Sequence, residues 1–265
     1  MESLQKLQQS GEKLFIPFIT AGDPSLQASA DLALALQEAG ASAIELGVPY
    51  SDPLADGPVI QRASVRALSS GVTIKKVMEM VPELRKKGVT IPIILFTYYN
   101  PVLQLGEEYF FALMRKNTIN GLLIPDLPYE ENRYLKKQCK ENGISLISLV
   151  APTSSDRIKK ITEEAEGFLY CISSLGITGE RQGFEEEAYT FIKEVKHMSP
   201  VPVAVGFGIS SRQQAEEMNK VSDGIIVGSA LVRKIESLRE QLQNPETYDR
   251  ALAEFKMFAS EFKTT

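Results

Sequence analysis

Three carboxylates lie close together along a predicted strand and the loop after it, and they are the first candidates for chemistry. Glu45 lies in the apolar run 43–46, whereas Asp52 and Asp56 lie in a loop rich in Pro and Gly. An unpaired carboxylate buried in a strand is unfavourable, so the position of Glu45 needs an explanation. Either a nearby base pairs with Glu45 and the aspartates only shape turns, or these acids belong to an active site.

The chain has very little histidine. His197 is the only one, at the polar end of a predicted helix, and we interpret it as a surface residue. Unless His197 carries it, neither a histidine-based triad nor a histidine-rich metal site is possible, and we predict no metal site. An enzyme with this sequence must therefore use carboxylates, tyrosines or lysines as its acids and bases.

The composition is that of a globular protein, with 43% hydrophobic and 24% charged residues in a chain of 265. A net charge of −5 and an isoelectric point near 5.2 argue against nucleic-acid binding. No apolar run approaches the roughly 18 residues that span a bilayer, and the N-terminus lacks the apolar core of a signal peptide. Cys139 and Cys171 are not in a CxxC spacing, so we expect a cytoplasmic protein that binds no membrane.

Eight short apolar runs recur along the chain, each followed by a turn and a helical pattern. They cover residues 14–19, 43–46, 91–96, 121–124, 145–150, 168–172, 201–205 and 224–227. Because the runs are apolar on both faces, they are typical of parallel strands covered by helices. The sequence therefore predicts an α/β fold, a single (β/α)8 TIM barrel with extra helices over residues 1–265. A doubly wound sheet is the alternative.

Helix-start and helix-stop signals lie between these runs. Ser25 is a predicted N-cap of a helix that stops at Gly40, and Thr73 precedes a helical stretch, kinked at Pro82, that ends before Gly88. Pro58 is predicted in the first turn of a helix that ends before Gly71. Further helices are predicted over residues 106–117, 129–141, 155–165, 185–198, 211–220, 230–242 and 246–262. The last has an aromatic stripe that we expect to pack into the core.

Glycine-containing turns follow the seventh and eighth predicted strands, at residues 206–210 and 228–230. In phosphate-using barrels these two loops, with a helix N-terminus, bind the anion through backbone N–H groups. The pair argues for the barrel and against the doubly wound sheet. The glycines could also serve only to turn the chain.

Ligands of a barrel bind at the C-terminal ends of its strands. That face would present aromatic and apolar side chains, with carboxylates at one side and an anion site at the other. Such a face suits a flat apolar substrate that bears a phosphate. The strand-end candidates are Phe18, Thr20, Glu45, Phe96, Tyr98, Asn100, Asp126, Leu127 and Tyr170.

The loop over residues 173–184 contains three glycines and no clear periodicity. A glycine-hinged loop at the ligand face is a candidate lid. The alternative is an ordinary mobile surface loop.

Several segments closely resemble the signatures of the tryptophan synthase α-subunit family. They are FIPFITAGDP at residues 15–24, ELGVPYSDPLADGP at 45–58, YYNP at 98–101, PDLP at 125–128 and GFGIS at 206–210. The long second segment is the specific one, and the resemblance extends from about Phe15 to Val232.

The resemblance implies a lyase that cleaves indole-3-glycerol phosphate to indole and glyceraldehyde 3-phosphate by a retro-aldol reaction. Glu45 would be the proton shuttle, and Asp56 would accept a hydrogen bond from the indole N–H. The implied substrate-binding residues are Tyr170 and Tyr98 beside the substrate, Phe18, Phe96 and Leu127 around the ring, and Gly179, Gly208, Gly228 and Ser229 at the phosphate. Thr178 would contact Asp56 when the lid closes.

The resemblance also implies a partner, a pyridoxal-phosphate-dependent β subunit that converts indole and serine to tryptophan. The two would form an α2β2 heterotetramer joined by an indole tunnel, and this chain would hold no cofactor. The loops at residues 48–58 and 174–184 would face the β subunit and order on binding. Trypsin cleavage at Arg181 in the second loop would then be slowed by ligand or partner.

Three other functions remain open. The chain could be a stand-alone lyase that releases free indole. It could be an isomerase or ring-forming synthase of a phosphorylated sugar, although those commonly need a lysine or histidine that no strand end supplies here. It could also bind a phosphorylated ligand only to regulate a partner, which would leave the proton-transferring acids without a purpose.

Overall fold

Nine parallel strands form one sheet in the part of the chain that the structure describes. The structure is a computed structural model that describes residues 1, 4, 6, 9–154, 157–172, 186–206 and 208–264. The strands are β1 (Leu14–Thr20), β2 (Ile44–Gly47), β3 (Ile93–Phe96), β4 (Gly121–Leu123), β5 (Ser145–Leu146), β6 (Ser148–Val150), β7 (Leu169–Ile172), β8 (Val203–Gly206) and β9 (Gly224–Val227). Their spatial order is β5-β4-β3-β2-β1-β9-β8-β7-β6.

The two ends of the sheet meet within one interrupted strand. Only Ile147 separates β5, which pairs with β4, from β6, which pairs with β7. The Ile147 N–H donates to the carbonyl oxygen of Leu122 at 2.8 Å, so pairing with β4 continues through the interruption. The predicted strand 145–150 thus closes the barrel, and the predicted eight-stranded (β/α)8 architecture is confirmed.

Helices surround the sheet. They are α1 (Leu26–Glu38), α2 (Pro58–Ser69), α3 (Ile74–Lys86), α4 (Tyr99–Leu105), α5 (Glu107–Lys116), α6 (Arg133–Glu141), α7 (Ile158–Glu163), α8 (Glu186–Met198), α9 (Arg212–Asn219), α10 (Ser229–Ser237) and α11 (Tyr248–Ser260). Three short 3-10 helices cover Tyr129–Glu131, Pro152–Ser154 and Gln241–Gln243. The predicted helices 129–141 and 230–242 therefore each divide into a 3-10 turn and an α-helix, and α4 was not predicted.

The predicted helix starts are confirmed by their caps. The Ser25 hydroxyl accepts a hydrogen bond from the Ala28 N–H, the Thr73 hydroxyl accepts from the Lys76 N–H, and Pro58 is the first residue of α2. The two hydroxyls accept hydrogen bonds from backbone N–H groups of the first turn that have no partner within the helix. Proline at the first position has no N–H group that needs a partner.

Two apolar layers stabilise the barrel, because its strands are buried on both faces. One lies between strands and helices. The predicted aromatic stripe packs there, with Phe255 in α11 and Phe262 just after it, and the rings of Phe262 and Phe15 stack with centroids 6.3 Å apart. The other fills the barrel interior around Ile94, Phe168 and Tyr170. In the described ranges no helix is long and apolar enough to cross a membrane.

Candidate active site

Glu45 lies in β2 at the C-terminal mouth of the barrel, where it is paired in register with Phe18 of β1 and Ile94 of β3. Its side chain lines a cavity and is only 1% exposed. Its Oε1 atom has no hydrogen-bond partner, and no base pairs with Glu45, among the residues that the structure describes. Burial raises the pKa of Glu45 to about 8. The carboxyl group therefore holds its proton at neutral pH, as a general acid must.

Asp56 lines the same cavity from the loop that leads into α2. It is buried, its Oδ2 atom accepts a hydrogen bond from the Tyr98 hydroxyl at 3.0 Å, and its carbonyl oxygen accepts one from the Gln61 side chain at 2.8 Å. Burial raises the pKa of Asp56 to about 6, and the hydrogen bond from Tyr98 opposes that rise. Asp56 is therefore mostly ionised at neutral pH while Glu45 is mostly protonated, so the two acids can play different roles.

Tyr98 holds the Asp56 loop in place. Besides donating to Asp56, its hydroxyl oxygen accepts a hydrogen bond from the Ala55 N–H at 3.0 Å, and its ring stacks on Tyr50 with centroids 5.0 Å apart. Tyr98 is 2% exposed and is not among the residues that line the cavity. The structure thus sets Tyr98, predicted to bind substrate, behind Asp56.

Replacing Tyr98 by Phe tests this contact. The variant removes one hydrogen bond to a charged group and one from the backbone, so we expect kcat/KM for the reaction proposed below to fall by about tenfold. Because the lost hydrogen bond lowers the pKa of Asp56, the acid limb of the pH–rate profile should move to higher pH. Steady-state rates across pH provide the measurement. An acid limb that stays in place would show that Tyr98 does not tune Asp56.

Aromatic side chains form one wall of the cavity. The rings of Phe18 and Phe96 meet edge to face with centroids 5.3 Å apart. Tyr170 is buried beside them, and the pKa of its hydroxyl is raised well above its ordinary value by burial and by the charges of Glu45 and Asp56. Tyr170 therefore remains a neutral hydroxyl at any working pH.

Two glycines make room for these rings. A Cβ atom on Gly47 would lie 2.4 Å from Cζ of Phe18, and one on Gly206 would lie 2.4 Å from the Tyr170 hydroxyl. Either substitution would displace an aromatic ring that lines the cavity.

Backbone groups of two glycine-containing turns form another part of the cavity wall. Gly208 has φ +87°, a conformation that favours glycine, and Gly228 is the N-cap of α10. Ser229 is the first residue of α10, and no described side chain caps this helix. Its N-terminal N–H groups and partial positive charge make this side suitable for an anion.

The cavity brings together eight of the twelve predicted site residues, namely Glu45, Asp56, Phe18, Phe96, Tyr170, Gly208, Gly228 and Ser229. Leu127 instead lines a neighbouring cavity with Tyr129 and Arg157. Thr178 and Gly179, with the rest of the predicted lid and Arg181, lie outside the described residues.

Seven residues of the cavity wall were not predicted from the sequence. They are Ala55, Ile60, Pro125, Leu149, Ile172, Ile209 and Ile226. Most are apolar residues that resemble any other core position, so residue type gives no signal. Position could have found Leu149 and Ile172, since both lie near the C-terminal ends of predicted strands.

Two other sequence interpretations concern residues outside the cavity. His197 is exposed, as predicted, and Asp52 is exposed in the loop before Asp56. No group of three or more His, Cys, Asp or Glu residues that could hold a metal occurs in the described part of the chain.

The chain is similar in sequence to proteins with one shared name. The family model described as "Tryptophan synthase alpha chain" matches residues 4–264. The protein of that name from Bacillus licheniformis is 63% identical over 255 residues, which cover 96% of this chain and 96% of the relative. The one from Bacillus subtilis is 62% identical over 254 residues, which cover 96% of this chain and 95% of the relative.

Solved structures agree in fold. The tryptophan synthase subunit alpha of Legionella pneumophila superposes with a TM-score of 0.85 at 32% identity, covering 99% of this chain and 95% of that one. A chain of the tryptophan synthase complex of Pyrococcus furiosus gives a TM-score of 0.83 at 34% identity, covering 95% of this chain and 98% of that one.

Proposed function

Because the chain belongs to the tryptophan synthase alpha chain family, we propose that it is a carbon–carbon lyase that cleaves indole-3-glycerol phosphate. The products are indole and glyceraldehyde 3-phosphate, formed by a retro-aldol reaction. The observation that supports this most strongly is that one cavity contains a buried, protonated Glu45 and a mostly ionised Asp56. The N-terminus of α10, which is suited to bind an anion, lines the same cavity.

Glu45 would act first as an acid and then as a base. Its proton goes to C3 of the indole ring, which leaves the ring as a cationic indolenine. The resulting carboxylate then accepts the proton of the hydroxyl on the carbon attached to C3. As that hydroxyl becomes the aldehyde carbonyl, the electrons of the C–C bond neutralise the ring. Glu45 ends protonated, and a pKa of about 8 suits both steps near neutral pH.

Asp56 would stabilise the cation. A carboxylate that accepts a hydrogen bond from the indole N–H offsets the positive charge that develops on the ring, and it does so more strongly in a buried cavity than in water. Phe18 and Phe96 would enclose the flat ring, and the hydroxyl of Tyr170 would orient the substrate beside Glu45. Leu127, Thr178 and Tyr98 remain predicted contacts of substrate or closed loop.

The phosphate would bind at the start of α10. Gly208, Gly228 and Ser229 supply backbone N–H groups there, and the helix end contributes partial positive charge. Gly179 is predicted to join them. Holding the phosphate would fix the glycerol chain with its reacting hydroxyl beside Glu45, which lowers the entropic part of the activation barrier.

The two pKa values predict a bell-shaped pH dependence of kcat/KM in the free enzyme. The rate should rise as Asp56 ionises around pH 6 and fall as Glu45 loses its proton around pH 8. Initial rates of indole formation across pH measure both limbs. A profile that stays flat from about pH 5 to about pH 9 would contradict the assigned protonation states.

The family name also supports a partner. We propose that a tryptophan synthase β subunit receives the indole, with an α2β2 stoichiometry and with the loop at residues 48–58 at the contact. Pyridoxal phosphate would belong to that subunit and would supply the chemistry that joins indole to serine. This chain's own residues would bind and cleave the indole donor.

An assay with and without β subunit separates this function from its alternatives. Indole release from indole-3-glycerol phosphate should be faster with the β subunit, and tryptophan should replace free indole when serine and pyridoxal phosphate are added. A rate that the β subunit leaves unchanged would favour a stand-alone lyase. Ligand binding without indole release under either condition would favour a regulatory barrel.

A further inference from the structure

A network of four charged side chains ties together elements that lead into the candidate site. Arg66 of α2 donates two hydrogen bonds to Asp23, at 2.8 and 2.7 Å, and a third to Glu236 of α10 at 2.7 Å. Arg62, one turn earlier in α2, donates two more to Glu236, at 2.9 and 2.7 Å. The Asp23 side chain is 2% exposed and that of Arg66 is 18% exposed. The Arg66–Asp23 and Arg62–Glu236 contacts are bidentate, which fixes geometry better than single hydrogen bonds do.

Both helices that the network joins begin at the wall of the cavity. Asp56 lies two residues before the start of α2, and Ser229 is the first residue of α10. Nearer the cavity, the helices meet in a small apolar cluster of Ile60 and Ala63 from α2, Val232 from α10 and Phe18 from β1. Ile60 and Phe18 line the cavity. The helix pair is therefore held together by apolar contacts near the cavity and by ion pairs farther from it.

We propose that Glu236 is a positioning residue that sets the distance between the indole-binding and phosphate-binding ends of the site. Glu236 links α10 to α2 through both arginines, and it makes this link without touching the cavity. This inference rests on the proposed function, in which Asp56 binds the indole N–H and the start of α10 binds the phosphate. A ligand can engage both ends together only when their spacing matches its length.

Glu236 is a suitable residue to test because its removal leaves no buried charge unpaired. Its side chain is 27% exposed, Arg66 retains both hydrogen bonds to Asp23, and Arg62 is 53% exposed. Replacing Arg66 would instead leave Asp23 buried without its cation, which is strongly destabilising. The Arg62 hydrogen bonds hold the pKa of Glu236 at about 2, so the link is ionised throughout the working pH range.

The experiment compares ligands that span the site with ligands that fill half of it. An unreactive indole-3-alkyl phosphate of the substrate's length engages both ends, whereas indole and glycerol phosphate each engage one. The chain contains no tryptophan, so indole fluorescence reports binding directly, and calorimetry reports glycerol phosphate binding. For Glu236→Ala we expect the affinity for the spanning ligand to fall by about tenfold, with each half-ligand within about twofold of wild type.

Asp31→Asn is the matched control. Asp31 is a partly buried carboxylate that accepts hydrogen bonds from Lys87, Gln27 and Tyr248, so it also joins three elements, but none of them borders the cavity. We expect all three ligands to bind this variant as they bind wild type.

Two results would overturn the positioning role. One is unchanged affinity of Glu236→Ala for the spanning ligand, and the other is an equal loss for the spanning ligand and both halves. If Glu236→Ala does not fold, Glu236→Gln, which keeps the shape without the charge, is measured with the same expectations. If wild type itself fails to bind the spanning ligand better than its halves, the proposed function fails rather than this inference.

Discussion

Replacing Glu45 by Gln is expected to lower the rate of indole release by about 10²–10⁴-fold. The amide has nearly the same shape as the protonated carboxyl group, but it can neither give a proton to indole C3 nor take one from the glycerol hydroxyl. Substrate binding should survive, because the cavity wall is unchanged. Indole formation under saturating substrate measures the rate, and ligand fluorescence measures binding. A variant that keeps more than about a tenth of the wild-type rate would show that Glu45 is not the proton shuttle.

The same variant should have a distinctive pH dependence of stability. Between pH 4.5 and about 8 the folded protein keeps the proton of Glu45, whereas the unfolded chain releases it. The free energy of unfolding of wild type therefore falls as pH rises through this range. Glu45→Gln lacks that loss, so its stability relative to wild type should increase by more than about 1 kcal/mol from about pH 5 to about pH 8. Denaturant titrations at the two pH values measure the free energy of unfolding of both proteins. The difference between variant and wild type cancels the contributions of all other titrating groups.

Asp56→Asn should also remove most of the activity in a folded protein. The amide can still accept a hydrogen bond from the indole N–H and from Tyr98, but it carries no charge to stabilise the cationic ring. Loss of one such electrostatic contact in a buried site typically lowers kcat by about 10²–10³-fold. Rates at saturating substrate, together with a thermal melt, separate lost catalysis from lost folding.

The matched control for that variant is Asp52→Asn, measured without a partner. Asp52 is exposed in the same loop, so its charge should matter little to the isolated chain. If Asp56→Asn keeps a normal rate, Asp56 only shapes the turn before α2. If both variants lose the same activity, the effect comes from the loop and not from a charge at the ring.

The barrel was predictable because each of its strands is an apolar run buried on both faces and followed by capped helices. The interruption at Ile147 was not, because it depends on pairing with two different neighbours, β4 and β7. Helix α4 was not predicted either. It starts immediately after the strand-end residue Tyr98 and has Pro101 in its first turn, where proline is tolerated.

Glu45 was predictable because a carboxylate in an apolar strand is chemically conspicuous, whereas the role of Asp56 followed only from the resemblance to the family. The position of Tyr98 behind Asp56 was not predictable, since a hydrogen bond between residues so far apart in sequence is set by tertiary packing. The ion network at Glu236 was hidden for the same reason. In the sequence Glu236 is one of many charged residues on a helix. Only the packing of α2 against α10 brings Arg66 within hydrogen-bond distance of it.

The most direct test of the account is the quantity of both products formed from indole-3-glycerol phosphate by the purified chain. We expect indole and glyceraldehyde 3-phosphate to appear in equal amounts, the β subunit to accelerate the formation of both, and Glu45→Gln to form neither at a comparable rate. Binding of the substrate without either product, in the presence and absence of β subunit, would contradict it.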